Sequence, residues 1–167
     1  MSSPTLLHSH IVMAIHKVDG VDGDANFPKK FVRLRTKVAA SGTLAAGQWV
    51  AIDTSDTENG LGATAVIAAA VTGGNALVFG VATEAIDNST GSSSLFKVIK
   101  IQTAGKFVDA VVTTGSTSGL ALVVDGAANP GQADIRVDGD EAPPCAIALE
   151  DATSTTCDVM ILDKGFF

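Results

Sequence analysis

The side chains that most readily do chemistry occupy few places in this chain. His8, His10 and His16 are its three histidines. His8 and His10 are spaced to share one face of a strand, as metal ligands can. No cysteine or carboxylate cluster completes a ligand set around them, so they read as polar residues of an exposed segment, and no metal or other cofactor is expected. A histidine general base would have to come from the first sixteen residues, the part of a chain least able to hold a rigid geometry. No G-x-S-x-G, Walker loop or G-x-G-x-x-G is present, and neither cysteine has a plausible histidine partner. No catalytic residue is therefore assigned, and the protein is not expected to be an enzyme.

Carboxylates gather in three short runs: Asp19, Asp22 and Asp24 in DGVDGD, Asp53, Asp56 and Glu58 in DTSDTENG, and Asp138, Asp140 and Glu141 in DGDE. Acids on Gly-containing turns can hold calcium, but none of the three matches the twelve-residue loop with its closing Glu. Asp, Asn and Gly are also the residues that build turns, and solvated turn acids are the expected role. Cys145 and Cys157 lack the paired spacing of a zinc site and are too few for a disulfide scaffold, so two buried thiols are expected, a disulfide being the alternative.

Among the larger side chains, Trp49 is the single tryptophan. It reads first as the plug of a small barrel and alternatively as an anchor at a subunit interface. Phe166 and Phe167 end the chain as an apolar pair that needs cover, and they join Trp49 as candidate subunit-interface residues.

The elements that must position these groups read as short strands. From Val38 onward, turns rich in Ser, Thr and Gly precede short Val, Ile and Leu runs, in SGTLAAGQWVAID (41–53), NALVFGVATEAID (75–87), SSSLFKVIKIQTAG (92–105), KFVDAVVTTGSTSG (106–119), LALVVDG (120–126) and CAIALED (145–151). The pattern predicts an all-β protein, a small barrel or sandwich of short antiparallel strands. The Ala-rich stretch 63–71 is equally consistent with strand and short helix. A faint duplication runs through the series: SGTLAAGQWVAID with the later FGVATEA parallels TSGLALVVDG with the later CAIALED, each second strand ending in Glu84 or Glu150. The body is thus predicted to hold two similar strand units.

Residues 1–36 read as an N-terminal arm, partly extended and basic at its end, and 37–167 as the β-rich body. In KKFVRLRTKV, Phe31, Arg33, Arg35 and Lys37 share one parity and Val32, Leu34, Thr36 and Val38 the other, the pattern of a strand with a basic outer face. Lys29, Lys30, Phe31, Arg33, Arg35 and Lys37 are the candidate partner-contact residues. Truncating 1–36 is expected to leave a folded body that no longer binds.

The net charge is −7. Residues 1–37 hold six bases against three acids, a local +3, and the remaining 130 hold five bases against fifteen acids, a local −10. Such a body repels nucleic acid and anionic membrane, and neither is expected as a partner. The longest nearly apolar run falls far short of the ~20 residues that span a bilayer. No signal peptide is read at the N-terminus, so synthesis in the cytoplasm as a soluble protein is expected.

The stretch from Val38 to Asp163 resembles the capsid cement (decoration) proteins of tailed bacteriophages, through SGTLAAGQWVAID, ALVFGVATEAI, VIKIQTAGKFVDAVV and CAIALEDATSTTCDVMIL. The resemblance implies a β-barrel or tulip-like body and a homotrimer. It also implies a place on the outer surface of the virion, at the threefold and quasi-threefold positions of an icosahedral head. There the protein would bind the major capsid protein and brace the shell against internal DNA pressure. The alternatives are another virion part, such as a fibre, knob or tail component, or a soluble β-sandwich module that binds carbohydrate or calcium.

Overall fold

In a computed structural model of the chain, residues 28–55, 64–69, 72, 74–125 and 129–165 are described. They form strands and turns with no helix. The strands are β1 (Lys30–Val38), β2 (Thr43–Leu44), β3 (Trp49–Ile52), β4 (Thr64–Ile67), β5 (Val78–Ala82), β6 (Ile86–Asp87), β7 (Leu95–Val111), β8 (Ala121–Val123), β9 (Asp134–Ile135), β10 (Ala146–Ala148) and β11 (Thr156–Ile161). The order β1-β4-β3-β5-β7 closes on itself because β7 also pairs with β1, giving a five-stranded barrel. Closure gives the short strands β3, β4 and β5, which could not stand alone, a neighbour on either side.

The alternation in β1 works as its residue types dictate. Val32, Leu34, Thr36 and Val38 are buried, and the apolar three of them join Leu44, Val50, Ala65, Phe79, Ala82, Ile86, Ile99 and Ile101 in the barrel core. This corrects the division at residue 36. Residues 30–36 are barrel wall: β7 pairs with β1 from Lys30 to Val38, and β4 pairs with it at Arg35 and Thr36. An arm free to leave the body would have to abandon that core. Within the Ala-rich stretch, Thr64–Ile67 form strand β4, parallel to β1 and antiparallel to β3, with Ala65 buried in the barrel core.

The runs 92–105 and 106–119, which read as two strands, contribute to one strand of 17 residues, β7. Gly105, with φ +87°, sits where the break was expected. An L side chain rarely adopts that backbone, and a Cβ there would lie 2.9 Å from the Pro28 carbonyl oxygen. The glycine redirects the strand instead of ending it: residues before it pair with β1 and residues from it onward pair with β11.

The second half of β7 opens a second unit, ordered β11-β10-β8-β9 from β7 outward. Its far end returns to the residue after β7 through a parallel bridge between Val112 and Ala133. The two units share one topology, since β4-β3-β5 and β9-β8-β10 are the same antiparallel arrangement. Two pairs of their main-chain bonds correspond closely. Gly47 N–H donates to the Ala82 carbonyl and Gly119 N–H to that of Ala148, both at 2.8 Å. Ala82 N–H returns to Gln48 at 2.9 Å and Ala148 N–H to Leu120 at 3.0 Å. The acids Glu84 and Glu150 occupy equivalent places and do the same work, accepting the main-chain N–H of Lys100 at 3.2 Å and of Asp158 at 3.0 Å.

The units are joined by the outer face of β3 and β5. Along β3, Val50 enters the barrel core, whereas Trp49 and Ala51 enter a second core with Val78, Val81, Ala110, Val112, Leu122, Val124, Cys145, Cys157, Val159 and Ile161. Period-2 alternation thus lets one short strand serve two cores.

Candidate functional site: a basic, aromatic strand face

The outward parity of β1 carries Phe31, Arg33, Arg35 and Lys37. In the antiparallel register Lys37 faces Phe96, Arg35 faces Val98 and Arg33 faces Lys100. Outward side chains of paired strands are direct neighbours, so seven residues form one surface ribbon. The Arg35 guanidinium lies 3.9 Å from the centroid of the Phe96 ring, and the Lys100 ammonium 3.9 Å from that of Phe31. Each stack is worth about 0.5–1 kcal/mol at an exposed site and holds a long cation in a fixed place. Val98, between them, is 57% exposed.

The electrostatics of the ribbon are one-sided. Lys37 lies 3.6 Å from Asp53, but Arg33, Arg35 and Lys100 have no carboxylate within 4.0 Å among the described residues. Arg33 and Lys100 stand directly opposite one another, which costs stability in the free protein. An anionic partner placed over them removes that cost. Because the rings of Phe31 and Phe96 are already stacked against cations, the ribbon offers positive charge and apolar edges, a fit for carboxylates on a protein surface.

Of the candidates taken from the sequence, Phe31, Arg33, Arg35 and Lys37 come together on this face. Lys29 precedes the strand, and Lys30 has the opposite parity and is ion-paired with Asp163. That ammonium, with the Gly165 N–H at 2.9 Å, holds the Asp163 carboxyl below its ordinary value and ties the C-terminal segment to β1. Both partners are well exposed, so the pair contributes little to stability. Phe96, Val98 and Lys100 were not anticipated, although the alternation of FKVIK is a signal for them; their place opposite β1 depends on a register that no local pattern reveals.

Trp49 is fully buried within the single chain, and its indole N–H donates to the Val111 carbonyl at 2.9 Å; it fills the core between the two units and not the interior of the five-stranded barrel. Phe166, Phe167, the three histidines, Asp19, Asp22, Asp24, Asp56 and Glu58 lie outside the described residues. Two of the remaining run acids organise their own turns: Asp53 accepts the Ser55 N–H at 2.9 Å, and Asp140 accepts the Val137 N–H at 2.8 Å.

Both cysteines are buried free thiols. The β10–β11 register, continued by the Leu162 N–H bond to the Cys145 carbonyl, puts Cys145 opposite Leu162, five residues from Cys157. At about 3.3 Å per residue the two are separated by about 16 Å, beyond disulfide reach. Burial pushes Cys145 up to about 12, and burial with the nearby Glu150 and Asp158 charges pushes Cys157 up to about 11. Below the ordinary thiol value of 9.0 both folded and unfolded chains are protonated; above it the unfolded chain ionises first. Stability is thus expected to be undiminished below about pH 9 and to fall as pH rises toward 12. A thiol reagent should label neither cysteine in the native protein at pH 8 and both in urea; rapid native labelling contradicts the assignment.

The fold defines a class, all-β proteins built on a closed five-stranded barrel, here followed by a second unit of the same topology. No family model matches the chain, and no curated protein matches it.

Proposed function

We propose that this protein is a structural, non-enzymatic component of a virion: a capsid cement protein that binds the outer surface of an icosahedral head as a homotrimer and stabilises the shell. The observation that carries the reading is a basic, aromatic ribbon on an otherwise acidic body. Such a surface fits an acidic protein face and disfavours nucleic acid, whose approach the rest of the molecule opposes. The resemblance of SGTLAAGQWVAID and the segments after it to cement proteins supplies the partner class, the major capsid protein. Many copies on one shell make modest affinity per copy sufficient.

Two measurements test it. Light scattering should give three times the 16.9 kDa chain mass. Decorated heads should retain their DNA at temperatures that empty bare heads. Replacing Arg35 and Lys100 together by Glu should change stability by no more than about 2 kcal/mol, the sum of two exposed cation–π contacts. The same variant should bind heads at least tenfold more weakly. Unchanged binding removes the ribbon from the contact.

A further inference from the structure

The strand that completes the ribbon also leaves an edge open. On one side β7 pairs with β1 from Leu95 to Ala104; on the other, β5 pairs with it only at Gln102 and Ile101. The Thr83 N–H donates to the Lys100 carbonyl at 3.1 Å, and the Lys100 N–H donates to Glu84 at 3.2 Å, so the main-chain groups of Lys100 face away from β1. By the period of two, those of Val98 and Phe96 face the same way, and among the described residues no strand pairs with them there. Leu95, Phe96 and Val98 are 39%, 40% and 57% exposed, and Lys97 between them is exposed too. An open edge with three exposed apolar side chains is what proteins ordinarily cover or blunt, and Lys97 alone interrupts this one.

We propose that the edge of β7 from Leu95 to Ile99 is a strand-addition site that takes an extended, acidic segment of a partner protein. The main chain of Phe96 and Val98 supplies the ladder bonds, and the side chains set the partner's chemistry. Lys97 lies on the edge itself, and Arg35 and Lys100 stand on the adjoining ribbon, stacked on Phe96 and Phe31, so a segment alternating carboxylates with β-branched residues matches the edge in charge and pleat. This rests on the docking reading above and sharpens it: the shell would contribute the added strand, and β1, locked in the barrel, would not.

The first probe is a ten-residue peptide alternating Val and Glu. It should bind and slow hydrogen exchange at the Phe96 and Val98 amides, while a Val and Lys peptide does not bind. Val98→Pro removes a donor that faces the open side and no bond to β1, so it should lower peptide affinity at least tenfold with the native circular dichroism kept. Lys97→Glu, at an exposed position, should weaken the same binding should the proline variant fail to fold. Absence of peptide binding, or binding that leaves both amides unprotected, overturns the proposal. So does a fall in the protein's own mass on Val98→Pro or Lys97→Glu, since a second copy would then hold the edge. Heads that do not bind the unaltered protein count against the cement reading alone, because the peptide result stands without them.

Discussion

Deleting residues 1–38 is expected to abolish cooperative folding. The deletion takes away β1, and with it Val32, Leu34 and Val38, all buried in the barrel core. Burial of each such side chain contributes about 1.5–3 kcal/mol, so the three together approach the about 5–15 kcal/mol that separates a folded domain from its unfolded chain. The loss also opens the barrel, leaving β4 paired only with β3 and the first half of β7 only with β5. Urea denaturation followed by circular dichroism should show no sigmoidal transition for the truncated chain. A transition at the midpoint of the full chain would mean that β1 is dispensable and the segment an arm after all.

Replacing Trp49 by Ala is expected to cost about 3–5 kcal/mol, the usual range for emptying a large aromatic site. The indole fills the core that joins the two units, and its removal also leaves the Val111 carbonyl without the bond at 2.9 Å. Urea midpoints by circular dichroism measure the loss. A cost below about 1 kcal/mol would show that the site collapses without penalty and that the junction is held elsewhere.

Strand β1 and Gly105 show what the sequence makes legible and what it does not. The alternation in KFVRLRTKV marks both faces of β1, but its basic face alone reads as the end of an arm. The decisive fact is that the other face is filled by side chains from strands about 30 to 70 residues away in the chain, such as Ala65 and Ile101. Nonlocal pairing leaves no local mark. Gly105 posed the opposite problem, because a glycine between two β-rich runs ordinarily marks a turn, and only the pairing to β1 and β11 shows one continuous strand.

The site was half legible for the same reason. Arg33 and Arg35 could be placed on one face from β1 alone, but Phe96, Val98 and Lys100 join them through the antiparallel register. Conversely, the faint likeness between SGTLAAGQWVAID and TSGLALVVDG marks a repeat that is plain in the hydrogen bonding. Gly47 and Gly119, like Glu84 and Glu150, are held by the same kind of bond in each unit.

The most direct test of the cement reading is co-sedimentation of the purified protein with undecorated viral heads across a concentration series. The account predicts saturable binding at a fixed number of copies per head, reached by the unaltered protein and lost when Arg35 and Lys100 are both Glu. A protein that stays in the supernatant at every concentration, with intact heads in the pellet, would contradict it.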